Sequence, residues 1–88
     1  NNLNTFGEIN LYPNPVKDIL NVTFTSNLQT DMQMNIFNAI GQSVYSKQIY
    51  KKSKTENYQV DVSNWNDGVY FIRLSDEKEN TNLKRFIK

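Results

Sequence analysis

The stretch INLYPNPVKDILNVTF, residues 9–24, combines two signals. In its second half Leu20, Val22 and Phe24 recur with period two, which puts them on one face of a strand with that face buried. In its first half Pro13 and Pro15 flank Asn14. Proline has no N–H to give to a β ladder and biases its predecessor toward extended geometry. The tripeptide therefore lets Tyr12 finish one strand and keeps that strand from running into the next. The expectation is a strand break at which the chain changes sheets, with Asn14 serving architecture rather than touching a ligand.

The same period extends outward from this stretch. Met32, Met34 and Ile36 keep it, as do Tyr58, Val60 and Val62, and again Tyr70, Ile72 and Leu74. Turn-forming residues fall between these runs, at 26–27, 38–41, 63–68 and 76–80. Short strands at 9–12, 43–49 and 83–87 complete a set of about seven, the number and spacing of an antiparallel β-sandwich. Residues 1–8, polar apart from Leu3 and Phe6, read as the end of a linker from an upstream cargo, so the domain itself is expected at 9–88.

Composition restricts the chemistry. With 88 residues the chain supports one core, and its net charge of +1 gives no electrostatic reason to expect nucleic acid or anionic lipid as a partner. Cysteine and histidine are both absent, which removes the usual nucleophile, the usual near-neutral base and the usual ligands of zinc, copper and iron. Neither an enzyme nor a cofactor is expected. Asp61, Asp67 and Asp76 are far apart in sequence and each is near a turn, so capping explains them better than calcium. No apolar run reaches the length of a membrane span, and the chain starts at Asn1 without a methionine or signal peptide, as part of a larger protein would.

Four segments carry a resemblance. LYPNPVKDILNV (11–22), NIFNAIGQSVY (35–45), VDVSNWNDGVYFIRL (60–74) and the terminal KRFIK (84–88) resemble, in order, the successive blocks of the type IX secretion system (Por secretion system) C-terminal sorting domain. The resemblance covers residues 9–88. It implies a seven-stranded immunoglobulin-like sandwich that serves as an export address on a secreted protein of certain Gram-negative bacteria. Its implied partners are the type IX secretion machinery with its sortase-like peptidase, and a cargo domain upstream in the same chain. The implied route runs through the periplasm to the cell surface or the medium, commonly with cleavage of the domain. Matched to the family's blocks, the sorting-motif residues are Tyr12, Pro13, Asn14, Pro15, Gly41, Gly68, Tyr70, Lys84, Arg85 and Lys88. The sequence departs from the family pattern at Asn38, where aspartate is usual, and at Trp65, where leucine is usual; both fit the same turn and core roles.

Each motif residue also has a structural reading. Gly41 and Gly68 supply positive φ angles in loops. Tyr70, in phase with Ile72 and Leu74, belongs in the core with its hydroxyl on a backbone partner, and Trp65 covers the open end of the sandwich. Lys84, Arg85 and Lys88 act either as gatekeepers of an edge strand or as the feature that export machinery reads, by strand addition or by charge. On the second reading, deletion of 83–88 abolishes export. The basic loop at 49–56 is a solvated hairpin. Two other functions fit a monomeric sandwich: a carbohydrate-binding module, for which Tyr45, Tyr50 and Trp65 are the aromatic candidates, and a plain structural spacer.

Overall fold

A computed structural model describes residues 7–26, 30–50, 53–78 and 81–88. Its strands are β1 (Glu8–Tyr12), β2 (Ile19–Thr25), β3 (Asp31–Asn38), β4 (Ser43–Tyr50), β5 (Thr55–Asp61), β6 (Val69–Asp76) and β7 (Thr81–Ile87). They form a three-stranded sheet in the order β1-β2-β5 and a four-stranded sheet in the order β4-β3-β6-β7, with every pairing antiparallel. The fold is the all-β, immunoglobulin-like sandwich that the sequence predicts.

Period-two alternation builds the core. Leu20, Val22 and Phe24 of β2 and Val60 of β5 are buried on one sheet; Met32, Met34 and Ile36 of β3 face them with Ile72 and Leu74 of β6. Sheets whose inner faces carry these side chains must stack to remove them from water, since each buried chain of this size contributes about 1.5–3 kcal/mol. Tyr58 keeps the phase but is only half-buried.

The expectation of a sheet change at the Pro-Asn-Pro tripeptide is overturned. Tyr12 pairs with Asn21, so β1 and β2 are neighbours in one sheet and residues 13–18 form the loop that joins them. The prolines do end β1, but the chain folds back because Ile9 and Val16 must both be buried against β2 and its core. Alternation in sequence marks which face of a strand is buried, not which sheet it joins. Both bonds that precede the prolines are cis.

The linker reading of 1–8 meets the fold at its last residues. Gly7 lies so close to β2 that a Cβ there would stand 2.6 Å from the Phe24 ring and 2.6 Å from the Thr25 carbonyl oxygen. Residues 1–6, including Phe6, lie outside the described residues, as do Asn27, Lys51, Lys52, Glu79 and Asn80 of the loops expected at 26–27, 49–56 and 76–80.

Candidate functional site

The register of the two sheets brings the sequence blocks of the resemblance to one end of the sandwich. Tyr12 and Asn21 pair there, as do Ile19 and Asp61; in the other sheet Asn38 pairs with Tyr70, and Val69 with Ile87. The loops 13–18, 39–42 and 62–68 and the end of β7 are therefore neighbours, although the sequence scatters them over the chain.

The Pro-Asn-Pro loop is fastened to the terminal strand. The Ile87 N–H donates to Asn14 Oδ1 (3.0 Å), and the Ile87 carbonyl accepts from the Val16 N–H (2.8 Å). Val16 is buried beneath the loop and anchors it. One residue further on, Gly68 and Lys88 exchange main-chain hydrogen bonds of 2.9 and 2.8 Å. By the alternation of an antiparallel ladder, Phe86 and Lys84 then turn their main chain toward β6, while Ile87, Arg85 and Leu83 turn theirs away. β7 is an edge strand, as expected, but the last outward pair of bonds on that edge belongs to the Pro-Asn-Pro loop. The start of β7 is held as well, by Asn82 Nδ2 donating to the Gly7 carbonyl. Asn14 thus has the architectural role the sequence suggests, through a partner that the sequence does not disclose.

Lys88 closes the corner. Its side chain is only 9% exposed, and its Nζ lies 3.6 Å from Asp67 Oδ1, whose own side chain is 90% exposed. The Lys88 side chain is packed along its length and its ammonium meets a solvated carboxylate, which fixes the direction of the terminal side chain.

Tyr70 sits behind this corner, 6% exposed, with its hydroxyl donating to the Asn66 carbonyl at 2.6 Å. Its ring stacks on Phe86 at 5.5 Å between centroids and 16° between planes. Trp65 continues the aromatic row, 5.3 Å from Tyr70 and 6.4 Å from Tyr45, and is half-buried against the core. The core tyrosine and the covering tryptophan are both as predicted. Tyr45, Tyr50 and Trp65 do not form the platform a sugar-binding face requires: Tyr45 and Trp65 are tilted by 49°, and Tyr50 is at the far end of β4, opposite Asp31.

The remaining motif residues are placed separately. Gly41, at φ 90°, closes the β3–β4 turn, with open space where a Cβ would be, so conformation alone calls for glycine. Gly68 also has a positive φ, 155°. Asn38 organises the same turn: its Oδ1 accepts from the N–H of Ile40 (3.1 Å) and of Gln42 (2.9 Å), as an aspartate could, while its Nδ2 donates to Gln42 Oε1 (2.9 Å), as an aspartate could not. Tyr12 ends β1 at the corner but is 51% exposed, its hydroxyl 3.3 Å from Thr23 Oγ1. Lys84 and Arg85 are exposed along β7, away from the corner.

Sequence reasoning missed Gly7, Val16, Asp67 and Asn82 as parts of this assembly. Val16 carried a usable signal, an apolar residue straight after the second proline; the other partnerships are long-range and leave no local trace.

Fold and site together define a class: an immunoglobulin-like module whose separate sequence blocks are assembled around its last strand. Residues 10–88 match the family model described as the secretion system C-terminal sorting domain, and the chain belongs to that family. Its members act as sorting signals of type IX secretion rather than as catalysts, which implies a cargo in the same chain and export to the cell surface or the extracellular space. No curated protein matches the chain.

Proposed function

We propose that this domain directs the protein to which it is attached across the outer membrane, that the secretion machinery inspects it in the periplasm as a folded object, and that its sortase-like peptidase cleaves it on or after export. The observation that supports this reading is the junction of Pro-Asn-Pro, Asp67–Gly68 and Ile87–Lys88: three segments far apart in the chain meet only when both sheets have formed. A receptor that contacts this corner reads completion of the fold and identity of the signal in one event. Because Ile87 already exchanges its main-chain bonds with the Pro-Asn-Pro loop, the arrangement favours reading by side chains over strand addition at that end. Tyr12, Pro13, Asn14, Pro15, Gly68 and Lys88 supply the corner; Tyr70 supports it from within; Gly41 shapes the neighbouring turn; Lys84 and Arg85 carry exposed charge further along β7.

The test fuses the 88-residue chain behind a fluorescent protein carrying a signal peptide, in a bacterium with a type IX system. Fluorescence should reach the surface or medium, stop in the periplasm when the machinery is disabled, and stop there also when Lys88 and Asp67 are replaced together in a domain that still folds. Retention of the unaltered, folded fusion in the periplasm would overturn the reading in favour of a spacer. Deletion of 83–88 is not informative, since it also removes Phe86 from the core.

A further inference from the structure

The two outer faces of the sandwich are built differently. On the three-stranded sheet the outward side chains bond to one another: Thr25 and Thr55 hydroxyls lie 3.2 Å apart, Thr23 donates to Asn57 at 2.9 Å and Gln59 to Asn21 at 3.3 Å. That face is polar and largely satisfied. On the four-stranded sheet the cross-strand rows run Phe37, Phe71, Arg85 and then Asn35, Arg73, Leu83. Across β6 and β7 apolar and guanidinium groups alternate like a checkerboard, with Phe37 beside Phe71. Leu83 is 58% exposed, and a groove of about 380 Å³ lies between it and the β3–β4 turn, lined chiefly by Phe37, Ala39, Phe71 and Arg73. The Arg73 guanidinium carbon stands 4.9 Å from the centre of the Phe37 ring, while its Nε is buried without a hydrogen-bond partner.

Around the groove the charge has one sign. Among the described residues, the outward positions of β3, β6 and β7 carry a single carboxylate, Asp31, at the opposite end of β3 from Phe37. Asp67, at the head of β6, is already paired with Lys88. An apolar groove flanked by arginines with no opposing acid is complementary to an apolar side chain flanked by carboxylates.

We propose that the outer face of the four-stranded sheet docks an extended acidic peptide segment of a partner protein, with one apolar side chain in the groove and carboxylates on Arg73 and Arg85. That the partner belongs to the export apparatus rests on the sorting function proposed above; the docking chemistry does not. A second copy fits poorly, since a two-fold interface on this patch would set arginines against arginines. A lipid surface fits poorly too: juxtamembrane cations contribute about 1 kcal/mol each, and this face offers a pair of arginines on a chain of net charge +1.

The probe is a fluorescein-labelled peptide, Glu-Glu-Phe-Glu-Leu-Glu-Glu, titrated into the 88-residue chain by anisotropy, with amide chemical shifts followed in parallel. Saturable binding is expected, with shifts at Phe37, Phe71 and Leu83. Arg85→Glu and Leu83→Ser, both exposed positions, should each weaken binding by about tenfold without changing the melting temperature. Absence of saturable binding, equal binding of the counterpart with lysine for glutamate, or indifference to both substitutions would overturn the proposal. Phosphatidylglycerol vesicles bound with the same dependence on Arg85 would overturn it in favour of a lipid surface, and a dimer abolished by Leu83→Ser in favour of self-association. The export fusion separates the two readings. A retained unaltered fusion removes the sorting function and leaves peptide binding standing. Undiminished export of Arg85→Glu and Leu83→Ser variants that have lost peptide binding removes the apparatus as the partner and leaves the sorting function standing.

Discussion

Asn14 shows how much a single side chain can hold when it is the partner of a main-chain group. Its Oδ1 accepts from the Ile87 N–H, a donor that β6 cannot reach because it faces away from the sheet. Asn14→Ala leaves that donor without its partner at the junction of the Pro-Asn-Pro loop and the terminal strand. The expected cost is about 1–2 kcal/mol in chemical denaturation, and Asn14→Asp, which keeps the acceptor, should recover most of it. Amide exchange at Ile87 should accelerate in the alanine variant alone. Gly7 belongs to the same scale: its φ of 145° and its lack of a Cβ together let the entry to β1 lie against the Phe24 ring.

At the scale of the element, β7 does two jobs. Phe86 is fully buried and stacked on Tyr70, whereas Lys84, Arg85 and Leu83 are exposed. Phe86→Ala should cost about 3–5 kcal/mol, a large part of the stability of a domain this small, and lose export along with folding. Lys84→Ala should change the unfolding midpoint by less than about 0.5 kcal/mol in equivalent free energy, so any export defect it shows reports recognition. β4 shows the limit of alternation as a guide: the register slips between Ile36 and Phe37, leaving Val44 as the extra residue opposite them and 42% exposed.

Across the whole molecule, stability should be flat through neutral pH and fall at both ends for identifiable reasons. Ser63 donates its hydroxyl and its N–H to Asp61 Oδ1, at 2.7 and 3.0 Å, and these bonds hold the carboxyl below its ordinary value of 3.8. A lowered folded pKa gives stability that is present above 3.8 and lost as the pH falls through the folded value; the effect is small for so exposed a group. At the other end, desolvation and then the nearby Glu56 carboxylate push Tyr58 from 10.0 up to about 12. Its ring is half-buried, but its hydroxyl is shielded and has no hydrogen-bond partner. A raised folded pKa gives stability that is full below 10.0 and lost as the pH rises through about 12. Melting temperature against pH should therefore decline above pH 10 or so, and Tyr58→Phe should flatten that limb while leaving neutral-pH stability equal or slightly higher.

The sequence by itself determined the strands and their buried faces. Period two in residues such as Leu20, Val22, Phe24, Ile72 and Leu74 is a local consequence of pleating, and the turn residues Asn38 and Gly41 act within their own loop. It also carried the family blocks, and with them the class of function. Only the tertiary structure decided which strands share a sheet, that the Pro-Asn-Pro loop returns to the sheet it left, and that Asn14, Gly68, Asp67 and Lys88 meet around the end of β7. The asymmetry of the two outer faces was equally hidden, because the outward row Phe37, Phe71, Arg85 exists only once register is set between strands distant in the chain. Alternation says which side chains must leave water; which other chain segment completes their burial depends on the packing of all seven strands at once.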